Sequence, residues 1–231
     1  MKNFQKSLGL LDKLIKKLQT NTAVLTKAPA PVVEQKTDNQ PKKQNKEKKQ
    51  KQKKQKKPKA EPTEEEKFLQ LFEMADLRVG EITEAKPLEG SDKLYIEQIS
   101  FGDETRQILS GLQPFVAQED MKGKVIVFYN LKPRKLAGQE SFGMVLCSEN
   151  KEKDNVELLR PLPGAKLGER VTLDGQTLNL VEGKNINSKN MVKFLEELVT
   201  DVHGQASFGK YRLRTECGLL DKATIPNGII R

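Results

Sequence analysis

Apolar and polar positions divide the chain into three differently patterned stretches. From residue 4 to 25, Phe4, Leu8, Leu11, Ile15, Leu18, Thr22 and Leu25 recur in alternating steps of four and three, the spacing of a heptad seam. Leu10 and Leu14 widen that stripe, and Lys6, Lys13, Lys16 and Lys17 lie largely off it. The spacing predicts an amphipathic helix within residues 1–27. A helix this short is marginal alone in water, so its apolar face needs a partner: a second copy, another protein's helix, a membrane surface or the chain's own folded part. Leu8, Leu11, Ile15 and Leu18 are the candidate docking positions, with a protein partner favoured.

Residues 28–62 hold Pro29, Pro31, Pro41, Pro58 and Pro62 around a run of Lys and Gln from Lys42 to Lys59. With too few apolar residues to build a core, this segment is expected to be a disordered linker reaching on the order of 30 Å or more.

From Thr63 onward short apolar runs alternate with turn signals. Thr63-Glu-Glu-Glu66 reads as a capping box opening a helix through Phe68, Leu69, Leu71 and Phe72. Strands are expected at 77–84, 93–100, 105–110, 124–130 and 142–147, with a short helix near 114–121 between the third and fourth. Gly80, Glu89-Gly90-Ser91, Gly102-Asp103 and Gly111 supply corners and hairpins. Five short strands with a helix in that gap is the order of an OB-fold, a small closed Greek-key barrel, here over residues 63–150. The fold class is therefore mainly β.

Residues 151–231 read as a small α+β extension packing on the barrel. Pro161, Pro163, Gly164 and Gly168 mark a bend, and Val171 to Val181 a hairpin around Asp174-Gly175. Asn187 or Ser188 is expected to cap a helix carrying Met191, Val192, Leu195, Leu198 and Val199, before a last strand from Phe208 to Leu213.

Charge sharpens this division. The net +9 is unevenly placed: residues 1–33 carry +5 and 34–62 carry +8, leaving 63–231 at −4. Any nucleic-acid site on the folded part must then be a local cationic patch. The linker lysines, among them Lys48, Lys49, Lys51 and Lys53 with Lys54, Lys56 and Lys57, form a polycation suited to RNA phosphates without base discrimination. A solubilising linker or a nuclear-localisation-like patch has the same composition.

Cys147 and Cys217 are far apart in apolar text and are expected as reduced, buried thiols in a cytoplasmic protein. No apolar run reaches the length of a membrane span, and lysines interrupt the N-terminal apolar stretch where a signal peptide would be continuous. A mitochondrial presequence is disfavoured by the absence of Arg there. The lone histidine, His203, sits at an expected helix end without Cys ligands nearby, so capping is its expected role and no metal or other cofactor is implied. No phosphate-cradling Gly loop or Gly-x-Ser-x-Gly elbow occurs, and no catalytic constellation is found.

The candidate chemistry is binding chemistry. Asn130-Leu-Lys-Pro-Arg-Lys-Leu-Ala-Gly-Gln-Glu-Ser-Phe-Gly-Met144 connects the last two expected barrel strands. Asn130 and Ser141 can read base edges or a 2′-hydroxyl; Lys132, Arg134 and Lys135 can meet phosphates, and Arg can stack on a base; Met144 can offer an apolar platform or belong to the core. Arg78 and Arg106 sit on strands that could flank the same groove. Ordinary surface charge is the competing reading for each cation.

The ordered series Asp76-Leu-Arg-Val-Gly-Glu-Ile-Thr83, Ser91-Asp-Lys-Leu-Tyr-Ile-Glu-Gln-Ile99, Ser110-Gly-Leu112, Asn130-Leu-Lys-Pro133 and Ser141-x-Gly-Met144 closely resembles the tRNA-binding OB-fold domain of the endothelial-monocyte-activating polypeptide II family. The likeness covers roughly residues 74 to 231 and is looser after 175. It implies a tRNA-contacting face at the Asn-Leu-Lys-Pro and Ser-x-Gly-Met elements, and an extension that mimics a homodimer contact within one monomer. The order helix, Lys linker, barrel resembles the auxiliary tRNA-binding subunit of animal multisynthetase complexes, implying a cofactor tethered to aminoacyl-tRNA synthetases. Ala137 departs from the family, where many relatives carry a basic residue, and Glu140 opposes the patch. A general RNA chaperone is the runner-up, and a cytokine-like fragment released by cleavage is the remaining alternative.

Overall fold

The computed structural model describes residues 62–231; the expected N-terminal helix and the Lys/Gln linker lie outside them. Thr63 caps α1 (Glu64–Met74) reciprocally: its hydroxyl accepts from the Glu66 N–H at 3.1 Å, and the Glu66 carboxylate accepts from the Thr63 N–H at 2.7 Å. This satisfies two of the donors that a helix N-terminus leaves open.

The molecule is mainly β. In chain order the first strands are β1 (Leu77–Pro87), β2 (Tyr95–Ser100), β3 (Thr105–Ser110) and β4 (Gly123–Phe128). A short hairpin, β5 (Arg134–Leu136) with β6 (Gln139–Ser141), precedes β7 (Met144–Val145). The barrel sheet runs β3-β2-β1-β4-β7, all antiparallel. Its free edges are joined by side chain as well as backbone. The Leu109 N–H donates to Ser141 Oγ at 3.0 Å, the Ser141 hydroxyl donates to Gly143 O at 3.1 Å, and the Phe142 N–H donates to Gln107 O at 3.0 Å. Gly143 is required by space: a Cβ there would lie 2.9 Å from Ile108 Cδ1 and 3.2 Å from Phe128 O.

The chain then leaves the barrel through β8 (Cys147–Glu149) and β9 (Val156–Leu158) into a second sheet. Its other strands are β10 (Thr172–Leu173), β11 (Leu198–Thr200), β12 (Ala206–Phe208), β13 (Tyr211–Thr215), β14 (Gly218–Leu219) and β15 (Ile229–Ile230), with α2 (Ser188–Glu196) before β11. Asn187 caps α2, its Oδ1 accepting from the Asn190 N–H at 2.9 Å.

Alternation along the strands creates two cores. One fills the barrel with Ile82, Tyr95, Ile99, Ile108, Leu112, Val125, Val127, Val145 and Cys147. The other lies between the barrel's outer face and the second sheet: Leu77, Val79, Ile126, Phe128 and Leu146 pack with Phe72, Phe194, Leu198, Phe208 and Leu213. Four rings, Phe128, Phe194, Phe208 and Phe72, meet there at centroid distances of 4.9–5.7 Å. Barrel and extension thus share one packed interior.

Several expected elements differ. Residues 114–121 hold only a 3-10 turn, Gln118–Asp120. Leu112 and Met121 both drop into the barrel core, and the stretch between them, bearing Pro114, crosses the gap in isolated turns. No hairpin spans 171–181. β10 pairs instead with β13, and after the Asp174-Gly175 turn the chain runs to α1, the Val181 N–H donating to Glu73 O at 2.9 Å. Leu198 and Val199 are not on the helix; they form β11 opposite Phe208 and Ser207. The expected single strand from Phe208 to Leu213 is a turn between two strands, with Gly209 at φ +53°. His203 sits in a turn after β11, where Asp201 Oδ1 accepts from the His203 and Gln205 N–H groups at 2.8 and 2.9 Å. Neither cysteine is in a disulfide; Cys147 is buried as expected, but Cys217 is exposed.

Candidate functional site

The β5–β6 hairpin turns on Ala137-Gly138, at φ +45° and +85°, and registers Arg134 with Ser141, Lys135 with Glu140 and Leu136 with Gln139. Two positive φ values make the turn that matches strand twist. Because side chains alternate across a strand, Arg134 and Leu136 share one face and Lys135 takes the other. Arg134 and Leu136 line a groove of about 750 Å³; Lys135 does not.

The groove runs between the end of β3, the hairpin, β7–β8 and α2. Leu112, Val145, Met144 and Ile186 give it apolar walls, exposed Phe115 and Val192 stand at its sides, and Ser110 from the end of β3 and Cys147 and Glu149 from β8 reach it. Lys132, Arg134 and Lys153 rim it, and none of the three is in an ion pair among the described residues. Arg231 also lines it but is matched by Glu149, its Nη2 donating to Oε1 at 2.6 Å. An apolar trough with unneutralised cations at its lip suits a ligand that is flat and apolar on its faces and anionic along its backbone.

The other expected site residues are placed differently. Asn130 is buried and engaged at both ends of its carboxamide: Oδ1 accepts from the Asp76 N–H at 2.9 Å, and Nδ2 donates to Met74 O at 2.9 Å and Lys184 O at 2.8 Å. It fastens α1, β1 and the segment before α2 at one point. Ser141 is buried and closes the barrel edge. Met144 packs on the second core on one side and lines the groove on the other.

Arg78 and Arg106 lie away from the groove and cover the Tyr129 ring from 4.1 and 3.4 Å. Tyr129 itself packs on the barrel core beside Phe101. Arg78 forks onto buried Asp76 at 3.0 and 2.9 Å, which raises its pKa, and Arg170 approaches the same carboxylate at 3.1 Å. Arg106 donates to Glu104 at 2.6 Å and to Tyr129 O at 2.9 Å. These two arginines are therefore packed over Tyr129 and held by carboxylates. Leu136, Phe115, Lys153 and α2 line the groove without a motif that marks them; the two-residue period of β5 is the available signal for Leu136, while Lys153 and α2 arrive through tertiary packing.

Among the described residues no cluster of three His, Cys, Asp or Glu could hold a metal ion, and no helix is long and apolar enough to cross a membrane.

Residues 77–170 match the family described as "Putative tRNA binding domain". The chain is 35% identical over 158 residues to the probable methionine–tRNA ligase of Oryza sativa subsp. japonica, 68% of this chain and 20% of that enzyme. It is 37% identical over 131 residues to the cytoplasmic tyrosine–tRNA ligase of Xenopus tropicalis, 55% of this chain and 24% of that enzyme. The chain thus spans a quarter or less of these ligases' length, a likeness to one part of each. Among solved structures, the C-terminal domain of Plasmodium vivax p43 superposes with a TM-score of 0.64 at 27% identity, covering 69% of this chain and 98% of that one. Residues 77–170 are a domain of the putative tRNA-binding family, joined here to an extension in a unit that resembles the p43 C-terminal domain.

Proposed function

We propose that the chain is a non-catalytic, cytoplasmic tRNA-binding protein that captures or retains tRNA for aminoacyl-tRNA synthetases. The observation that carries this reading is the apolar groove rimmed by Lys132, Arg134 and Lys153 on a domain of a tRNA-binding family. Lys132 and Arg134 meet phosphates, and Met144 and Leu136 offer apolar platforms. Asn130 and Ser141 act by holding the groove's shape, Arg78 and Arg106 by packing over Tyr129, and Lys135 as an outlying cation. The second sheet covers the barrel's outer face, which supports a monomeric folded part.

The linker lysines add sequence-independent affinity, and the N-terminal segment tethers the protein to a synthetase, converting a weak tRNA contact into an intramolecular one. The Lys-rich linker alone would also suit a general RNA-binding protein, which would not depend on the groove.

Lys132→Glu with Arg134→Glu in the full chain should weaken tRNA binding at least tenfold and flatten its salt dependence by roughly 1.5 in log–log slope. Lys135→Glu with Lys93→Glu, a matched charge change outside the groove, should cost far less. Equal losses from both pairs would reduce the groove to generic charge and favour the general RNA-binding reading. For the tether, Leu11→Glu with Ile15→Glu should abolish co-purification with a synthetase, and undiminished co-purification would sink that part of the proposal.

A further inference from the structure

Two residues of the ordered motifs have no place in the reading above: Glu97 and Ser110. Burial alternates along β2, so that Tyr95, Glu97 and Ile99 all point into the barrel. A carboxylate therefore occupies an inward position between an aromatic and an aliphatic residue. Its Oε1 accepts from the Ser110 hydroxyl; its Oε2 is wholly buried and has no hydrogen-bond partner in the structure. Leaving half a carboxylate unsatisfied in such a place is costly, and no cation pairs with it among the described residues. Ser110, in contrast, is only half-buried and lines the groove, as does Cys147, whose thiol feels the Glu97 charge. The couple stands where the groove reaches the barrel interior between β3 and β8.

We propose that Ser110, held by Glu97, contacts the edge of a nucleobase seated in this groove and favours a base carrying an exocyclic amine, such as cytosine, over uracil. The inference rests on the groove being the RNA seat. An ionised carboxylate can only accept, so it fixes the Ser110 proton toward itself and turns the free lone pair of Ser110 Oγ to the groove. An acceptor there matches the cytosine amine and opposes the O4 of uracil. Once Glu97 is protonated, its O–H donates to Ser110 Oγ, and the serine proton is released to face the groove as a donor. The preference then reverses.

The groups that face this couple are few. Glu97 meets the Ser110 hydroxyl from β3, the Cys147 thiol of β8 feels its charge, and Glu149, also on β8, is taken by Arg231. Burial pushes the Glu97 carboxyl up to about 7, the Ser110 hydrogen bond only partly opposing it, so the exchange falls in an accessible range. Phe115 and Met144 line the same groove as surfaces for the base faces.

The test uses the full-length chain with octamers of cytidylate and of uridylate at one fixed salt concentration, at pH 8.5 and pH 6. The expected result is cytidylate bound about tenfold more tightly at pH 8.5, with the ratio shrinking or inverting at pH 6. Glu97→Gln, whose amide donates to Ser110 at any pH, should show at both pH values the shrunken or inverted ratio of the protonated protein, with no pH dependence. Ser110→Ala should bind both octamers alike at both values. Arg134→Glu should weaken both octamers by the same factor. If it does so while the unsubstituted protein shows no preference, or if Ser110→Ala keeps the preference, the base contact is overturned and the groove reading survives. If Arg134→Glu leaves both octamers unaffected, the RNA lies elsewhere and both ideas fall.

Discussion

Glu97 has a consequence for stability that is separate from any ligand. Its carboxyl titrates near 7 in the folded protein against 4.5 as an ordinary glutamate, because burial penalises the charged form. Between those values the folded state holds the proton that the unfolded state has released, so stability falls as pH rises through that window and stays low above it. Glu97→Gln removes the titration while keeping the side chain's size. It should therefore stabilise the protein at pH 8 by on the order of 3 kcal/mol and change little at pH 4.5. Urea unfolding at the two pH values measures this directly, and a variant equally stable relative to wild type at both would show that Glu97 is better solvated than its position implies. Asn130 has the opposite character. It was legible in the sequence as part of a functional motif, yet its carboxamide bonds run to α1, β1 and the approach to α2. The amide looked like a ligand contact because its partners lie 54 to 56 residues away, where no local pattern can disclose them.

At the scale of elements, legibility followed whether a segment's own residues decide its form. The α1 capping box and the β1 to β4 runs contain their own signals: a reciprocal cap, apolar stretches and bounding glycines. The stretch after Val171 does not. Thr172 and Leu173 pair with Arg214 and Leu213, some forty residues on, and the expected local hairpin loses to that distant partner. Likewise Leu198 and Val199 continue a helical spacing but are drawn into pairing with Phe208 and Ser207, tertiary contacts overriding a weak local preference. The hairpin between β4 and β7 shows the same split within the candidate site. Its cations were evident from composition, whereas their division into Arg134 over the groove and Lys135 behind it follows only from the register of β5 with β6. Composition gave a basic loop; register makes it directional. That is why a charge reversal at Arg134 and one at Lys135 are expected to differ although the two residues are neighbours.

Across the whole molecule, the barrel and the extension are joined by the aromatic interior between them, and this bears on how the groove is held. Its floor belongs to the barrel, but Ile186, Met191 and Val192 belong to the extension, so the groove exists only while the two are docked. Phe194 is central to the joint: its ring lies 5.2 Å from Phe128 of the barrel, 5.7 Å from Phe72 of α1 and 4.9 Å from Phe208 of the second sheet, and it has no solvent exposure. Phe194→Ala should cost roughly 3–5 kcal/mol, the range for emptying such a site. The joint also makes a claim about cooperativity. If barrel and extension unfold together, the buried thiol of Cys147, in the barrel core and not in the core that holds the deleted ring, should become reactive toward a thiol reagent at the same lowered temperature at which far-ultraviolet circular dichroism is lost. Cys217 is exposed and would react from the start, so Cys217→Ser in both proteins isolates the barrel signal. Coincident, lowered transitions would establish that the extension stabilises the barrel itself. A Cys147 transition left at the wild-type temperature would make the barrel an independent unit and the groove an interface between two units that can part.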